Sequence, residues 1–318
     1  MNNAILGATS QIAKDLILSF AQYTEHQCVL FSRSPSKVSD WLKAERVTSV
    51  YPSYSYDEFP HGTYDAIINF VGVGDPARAK EMGAAIFEIT YQYDQLSLDY
   101  IALHPKCKYI FLSSGAVYGD VFSKPVDSNS IAQVSINHLG ANHWYTVAKL
   151  HAEARHRAMP DYGIIDVRVF NYFSHRQNLS ARFLMTDMLR SIINKEVFKT
   201  SSENIVRDFL HPSDFYQLIH LILQQGLFNM AVDCYSKKPV DKFSLLTVMQ
   251  KSFSLRYEFT ESHKRVNATG NKLNYYSQNR VAVEFLKYTP ELSSLDGVLR
   301  ESAIILGDSS LIPTEVEK

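Results

Sequence analysis

Five short, almost unbroken apolar runs, spaced by long amphipathic segments, dominate the first half of the chain. They are NAILGA (3–8), CVLFS (28–32), AIINFV (66–71), YIFLSS (109–114) and IIDVRVF (164–170). A strand with water on one face alternates apolar and polar residues, so a run that skips the alternation needs cover on both faces. Between the runs, SQIAKDLILSFAQY (10–23), AAIFEITYQYDQLSLDYIALH (84–104) and WYTVAKLHAEARHRAM (144–159) carry helical spacing. Strands alternating with helices of that length make βαβ units with right-handed crossovers. The expected architecture is therefore a doubly wound α/β fold built on a parallel sheet. After about residue 172 the rhythm changes: SARFLMTDMLRSIINKE and SDFYQLIHLILQQGL read as helices set in polar, irregular sequence. This divides the chain into a first domain over 1–171 and a smaller lobe over 172–318, with some of the later chain returning to the sheet. The last residues, SSLIPTEVEK, are expected to fray.

The 318 residues are 46% hydrophobic, enough for a sizeable core, and the net charge of −1 shows no basic stripe of the kind a nucleic-acid binder carries. Cys28, Cys107 and Cys234 form no C-x-x-C pair and read as reduced thiols. The eleven histidines include no H-x-x-x-H or H-E-x-x-H spacing, so no metal site is expected. MNNAILGATS lacks a basic n-region, and no apolar run reaches membrane-spanning length; a cytoplasmic protein is expected.

ILGATSQIA ends the first apolar run and opens the first helix, the setting in which a glycine turn has meaning. Gly7 permits the tight turn, and a helix start offers free N–H groups and a positive dipole to a pyrophosphate. Gly7, Thr9, Ser10, Gln11 and Ile12 are the candidate cradle; the alternative is an ordinary turn with Ser10 as N-cap. The second strand ends in Ser32 and Arg33, with Lys37 following and no acid to bond a ribose 2′-hydroxyl. A cation there suits a 2′-phosphate, which favours NADP(H) over NAD(H), unless Arg33 and Lys37 merely solvate a loop.

Tyr145 and Lys149 lie four residues apart in a helical segment and so share a face. An ammonium there lowers the phenol's pKa and makes Tyr145 a proton donor or acceptor; Lys149 also has the reach to hold the cofactor's ribose. Ser114 closes YIFLSS at a predicted strand end, where α/β sheets bind ligands. With no G-x-S-x-G elbow, Ser114 reads as a hydrogen-bond donor, not a nucleophile.

In combination GATSQIA, SSGAVYG, YTVAK, VRVFN, RDFLHPSD and YTPELSSLDGVL resemble an extended short-chain dehydrogenase/reductase, of the NAD(P)-dependent epimerase/dehydratase family of nucleotide-sugar enzymes. The resemblance implies a Rossmann-type dinucleotide domain with a C-terminal substrate-binding lobe, and Ser114, Tyr145 and Lys149 as catalytic trio. It also implies that Asn171 and Arg207 contact the diphosphate of the substrate, and that homodimers through two helices are common. Read from the residues alone, Asn171 could equally be a turn residue and Arg207 an ion-pair partner of Asp208. The chain departs from the family at Ser10 and Ala13 (glycines there), in INFVGVG, and at Thr90.

Gly115 and Ala116 stand where the family's dehydratases resemble one another in an Asp-Glu pair, and the cysteine of its fucose-synthase branch is missing. Two enzymatic expectations remain: reduction of a keto-deoxysugar with Tyr145 as general acid, or epimerisation with bound NAD. A cofactor-binding sensor without catalysis is the alternative of another class. His175, Arg176 and Arg182 all fall near the expected pocket without a ranking, and tyrosines of KLNYYSQNR could line it or simply pack.

Overall fold

The structure is a computed structural model that describes residues 1–24, 26–73, 79, 81–260 and 272–308. Strands β1 (Asn2–Leu6), β2 (Gln27–Phe31), β3 (Ser53–Tyr54), β4 (Ala66–Asn69), β5 (Lys108–Ser114), β6 (Ile164–Val169) and β7 (Met230–Cys234) form one seven-stranded sheet in the order β7-β6-β5-β4-β1-β2-β3. Every pairing in it is parallel. The strand order reverses between β1 and β4, which opens a crevice at their carboxyl ends.

The register explains why the runs had to be apolar throughout. Leu30, Ile5, Ile68, Ile110 and Ile165 are successive cross-strand partners and all join one core. The next row, Phe31, Leu6, Asn69, Phe111 and Asp166, turns to the opposite face, where Phe31, Leu6 and Phe111 belong to a second core. Asn69 and Asp166 are thus polar residues buried in an apolar row, and each requires internal partners.

Helices α1 (Gln11–Tyr23), α3 (Ala85–Leu103) and α4 (Trp144–Arg157) fall where the helical spacing was read, and α2 (Pro35–Ala44) is a further helix after β2 that the spacing did not announce. Beyond residue 171 come α5 (Leu184–Ile193), α6 (Pro212–Gln224), α7 (Lys242–Phe253), α8 (Val281–Leu286) and α9 (Ser294–Leu306). The later chain is shared between two places. Strand β7 joins the main sheet beside β6, and Phe215, Leu218, Ile219 and Ile222 of α6 enter the first core. Residues of α5, α7 and α9, among them Met188, Leu189, Leu246, Met249 and Val298, build a separate core with Phe173 and Phe209. The open carbonyls at the end of α6 are met by buried Lys108, whose Nζ donates to Ile222 O at 3.0 Å, to Leu223 O at 2.6 Å and to Gln225 O.

Cys28, Cys107 and Cys234 are buried free thiols. Among the described residues no helix is long and apolar enough to cross a membrane, and no cluster of His, Cys, Asp and Glu is arranged for a metal ion. The terminal segment SSLIPTEVEK lies outside the described residues.

Candidate functional site

Gly7 leaves β1 with φ +78°, a conformation L side chains avoid. A Cβ there would stand 2.9 Å from Phe70 C and Val71 N, so the backbone after β4 fills the space a side chain would need. Gly7 and Ala8 N–H donate to Phe31 O at 3.0 and 3.1 Å, pinning the turn to the end of β2. Ser10 occupies the N-cap of α1, but its hydroxyl caps nothing, and the first turn holds no acid. The amides that open α1, from Gln11 and Ile12 onward, therefore face the crevice with their positive end uncompensated, and Thr9 is exposed beside them. This cradle fits a dinucleotide pyrophosphate. Ala13 is fully buried where the family pattern has a glycine. Sequence reasoning missed Asp15, a buried acid one turn in. Its carboxylate accepts from Tyr172 OH at 2.9 Å and faces Arg176 at 3.8 Å; burial raises its pKa.

At the far end of the crevice, Ser32 is buried and its Oγ accepts the Ser34 N–H at 3.2 Å, so this hydroxyl serves its own loop. Arg33 is exposed and lines a cavity of about 600 Å³ with Tyr56, Asp57, Glu88 and Asp99. Lys37 is exposed on α2, away from that lining.

Ser114 is the last residue of β5. Its Oγ accepts the Ala116 N–H at 3.1 Å and lies 3.4 Å from Tyr275 OH. A Cβ on Gly115 would fall 2.4 Å from the Phe170 ring, so the aromatic side chain occupies the place of any acid at that position. Tyr145 sits half-buried in the first turn of α4, with the Ser114 hydroxyl in hydrogen-bonding reach.

The expected acidification of Tyr145 by Lys149 is not what the structure has. Burial raises the phenol's pKa, Ser114 pulls it back in part, and Lys149 is not among the groups that move it. Lys149 is itself the strongly perturbed member: burial pushes its ammonium down to about 8 against the pull of Asp94, Asp166 and Glu153. Its Nζ donates to Leu112 O at 2.7 Å and stands 4.1 Å above the Phe111 ring. The same Nζ would lie 3.5 Å from a Cβ on Gly72, so it reaches the wall of the cofactor crevice.

The two expected diphosphate residues arrive by backbone pairing. Asn171 pairs with Phe209 in a two-residue parallel ladder, and its Nδ2 donates to Asp208 O at 3.2 Å. Arg207 pairs with Tyr275 in another ladder, which sets the guanidinium beside the tyrosine that touches Ser114. Arg207 is no surface partner of Asp208. It is 3% exposed, its Nη1 donates to Val206 O and Lys272 O at 2.8 Å each, and burial draws it down to about 10. Asp208 instead accepts from the Ser236 N–H at 3.0 Å and from Ser294 Oγ at 3.1 Å, tying RDFLHPSD to the start of α9. Lys272 lies over the Phe122 and Tyr275 rings at 4.8 and 4.9 Å, a second cation at the same mouth, and burial lowers it to about 8.

Tyr275 is therefore the residue the sequence left undecided, and no periodicity in KLNYYSQNR distinguishes it from Tyr276. Of the three unranked side chains, His175 is held by Glu301 at 2.8 Å, Arg176 by Glu45 at 3.1 Å, and Arg182 by Asp187 at 3.3 Å.

The model of the family described as "NAD dependent epimerase/dehydratase family" matches residues 4–231. Among solved structures the chain is similar to UDP-glucuronic acid 4-epimerase from Bacillus cereus, in complex with UDP-glucuronic acid and NAD, with TM-score 0.77, 15% identity, and coverage of 96% of this chain and 99% of that one. It is similar also to dTDP-glucose 4,6-dehydratase from Bacillus anthracis in complex with NAD (TM-score 0.77, 14% identity, 98% of each chain). A third is UDP-glucose 4-epimerase from Bifidobacterium longum in complex with NAD+ and UDP (TM-score 0.76, 15% identity, 97% and 99%). No curated protein sequence matches the chain. At such identities the structural likeness speaks for the shared fold.

Proposed function

The chain belongs to the NAD dependent epimerase/dehydratase family, and on that footing we propose that it is an NADP(H)-dependent oxidoreductase that reduces a keto group on a nucleotide-linked deoxysugar. The observation that carries this reading is the meeting of Ser114, Tyr145 and Tyr275 hydroxyls beside Arg207, one helical turn from Lys149.

A bound dinucleotide would supply hydride. Tyr145 would give its proton to the carbonyl oxygen, and its raised pKa keeps it in the protonated form that this role needs at neutral pH. Ser114 would donate a hydrogen bond to the same oxygen. Lys149, buried and within reach of the cofactor wall, would hold positive charge and the ribose. Arg207 and Lys272 would receive the diphosphate, with Asn171 nearby; the two cations suit phosphate oxygens. The Phe170 ring over Gly115 argues against sugar dehydration, because no acid can occupy that place. The support for NADP(H) is local, an exposed Arg33 and no carboxylate where β2 ends; Asp57, Glu88 and Asp99 on the cavity that Arg33 lines act against a 2′-phosphate.

A second reading, epimerisation with retained NAD, is favoured by the UDP-sugar 4-epimerases among the structural neighbours. Denaturing the purified protein and identifying any released dinucleotide separates the two. Exchangeable NADP(H) supports the reductase; stoichiometric, non-exchanging NAD would replace it by the epimerase.

A further inference from the structure

On the sheet face covered by α3 and α4 runs a chain of buried polar groups that the crevice chemistry does not use. His156, fully buried, lies on α4 two turns beyond Lys149. Its Nδ1 is 2.6 Å from Asp166 Oδ1 on β6, and its Nε2 is 2.7 Å from Asp94 Oδ1 on α3. The outer oxygens of the two carboxylates are taken by the flanking arginines: Arg155 Nη1 donates to Asp94 Oδ2 at 2.7 Å and Arg157 Nη2 to Asp166 Oδ2 at 2.6 Å. Burial alone would strip the imidazole of its second proton, yet the two carboxylates override it and push His156 up to about 9.

From Asp94 the chain continues to the cofactor wall. Tyr109 OH donates to Asp94 Oδ1 at 2.9 Å, Asn69 Nδ2 donates to Tyr109 OH at 3.0 Å, and Asn69 Oδ1 accepts the Val71 N–H at 2.9 Å. Val71 N is one of the atoms packed against Gly7, and the next residue, Gly72, faces Lys149 Nζ. Phe111 gives a second route. His156 meets its ring edge-on at 5.2 Å, and Lys149 rests on the same ring at 4.1 Å.

Replacing buried ion pairs by apolar side chains often costs a protein nothing, so stability does not explain this cluster. What ions provide is a single allowed arrangement. All four carboxylate oxygens are satisfied only when α3, α4 and β6 stand at one height and one register. We propose that His156 is a positioning residue which, clamped by Asp94 and Asp166, sets α4 and hence Lys149 against the Asn69–Gly72 wall. This rests on the reading of the crevice as a dinucleotide site.

The test uses Tyr109→Phe and His156→Gln in the full chain, with NADPH and NADH titrations followed by nicotinamide fluorescence, melting temperature, and kcat and KM for the sugar nucleotide. Tyr109→Phe cuts the chain while every carboxylate keeps a partner. It should weaken dinucleotide affinity about fivefold, the weight of one hydrogen bond. His156→Gln should weaken it at least about tenfold and lower kcat, because a small displacement of a reacting group is costly, with KM for the sugar nucleotide unmoved. The double variant should bind no worse than His156→Gln alone, since both act through one chain. Should His156→Gln fail to fold, Tyr109→Phe alone decides. Lower melting temperatures with wild-type dinucleotide affinity and kcat would overturn the positioning role alone. A wild type that binds neither dinucleotide would overturn the dinucleotide reading and this one together.

Discussion

Lys149→Met should give a protein that is more stable and inactive. The buried ammonium is displaced from 10.5 to about 8 by loss of water; at roughly 1.4 kcal/mol per pH unit, holding its charge costs the fold about 3 kcal/mol. Methionine keeps the length and the packing on Phe111 but gives up the hydrogen bond to Leu112 O, worth about 1 kcal/mol. The net gain at pH 7 is about 2 kcal/mol, which for a chain of this length raises Tm by roughly 3 °C. The pH dependence carries a sign that packing alone would not produce. Below about 8 both the folded and unfolded wild type hold the proton, and the penalty is full. Between about 8 and 10.5 the folded state sheds it first, so the wild type gains stability with rising pH and the advantage of the variant fades. Denaturant unfolding of both proteins from pH 7 to 10.5 measures this. A variant no more stable than wild type at pH 7, or a gap that stays constant across the range, would refute the argument that burial of charge dominates this site.

Tyr145→Phe should lower turnover at least about 100-fold, as loss of a general acid does, and leave dinucleotide affinity near wild type by titration; a rate within threefold would remove Tyr145 from the reaction. Gly7→Ala places a methyl 2.9 Å from two backbone atoms at φ +78°. Left-handed backbone costs about 1–2 kcal/mol before the clash is counted, so the melting temperature and pyrophosphate affinity should fall together, and unchanged binding would show that the turn does not form the cradle. Glu301 would be raised by burial, but hydrogen bonds from His175 and His211 bring it down to about 2. Its contribution is complete above pH 4.5 and lost as pH falls through about 2, so Glu301→Gln should be less stable than wild type at neutral pH with a gap that closes over that acid range; a gap independent of pH would contradict it.

The sheet was readable because its chemistry is repetitive. Each predicted apolar run coincides with a strand to within two residues at either end, since burial on both faces leaves no room for another pattern. Two elements of the same half gave too little signal. Helix α2 buries only Val38 and Leu42, and β3 is two residues held at the sheet edge by β2. Strand β7, NMAVDC in context, alternates too weakly to announce that residues 230–234 rejoin the sheet. The order GATSQIA, SSGAVYG, YTVAK pointed to Gly7, Ser114, Tyr145 and Lys149 because each lies at the end of a strand or one turn into a helix, where local sequence determines position.

Groups that depend on distant chain were illegible for the corresponding reason. Tyr275 reaches Ser114 only because a two-residue ladder sets it beside Arg207. Arg155, His156 and Arg157 look on paper like cations gathered at a helix end to complement its dipole. Their partners, Asp94 and Asp166, come from another helix and from a strand in which Asp166 stands between Ile165 and Val167. A carboxylate inside such a strand is a violation of its own pattern, and that is the usable signal. Asp166 in IIDVRVF and Asn69 in AIINFV occupy the same row of the sheet, and a polar residue can stay there only if another element brings a partner to it. For Asp166 that element is the helix carrying Tyr145 and Lys149, through His156 and Arg157, and for Asn69 it is α3, through Tyr93 O at 3.2 Å, so the polar breaks in two core strands mark where these two helices pack on the sheet.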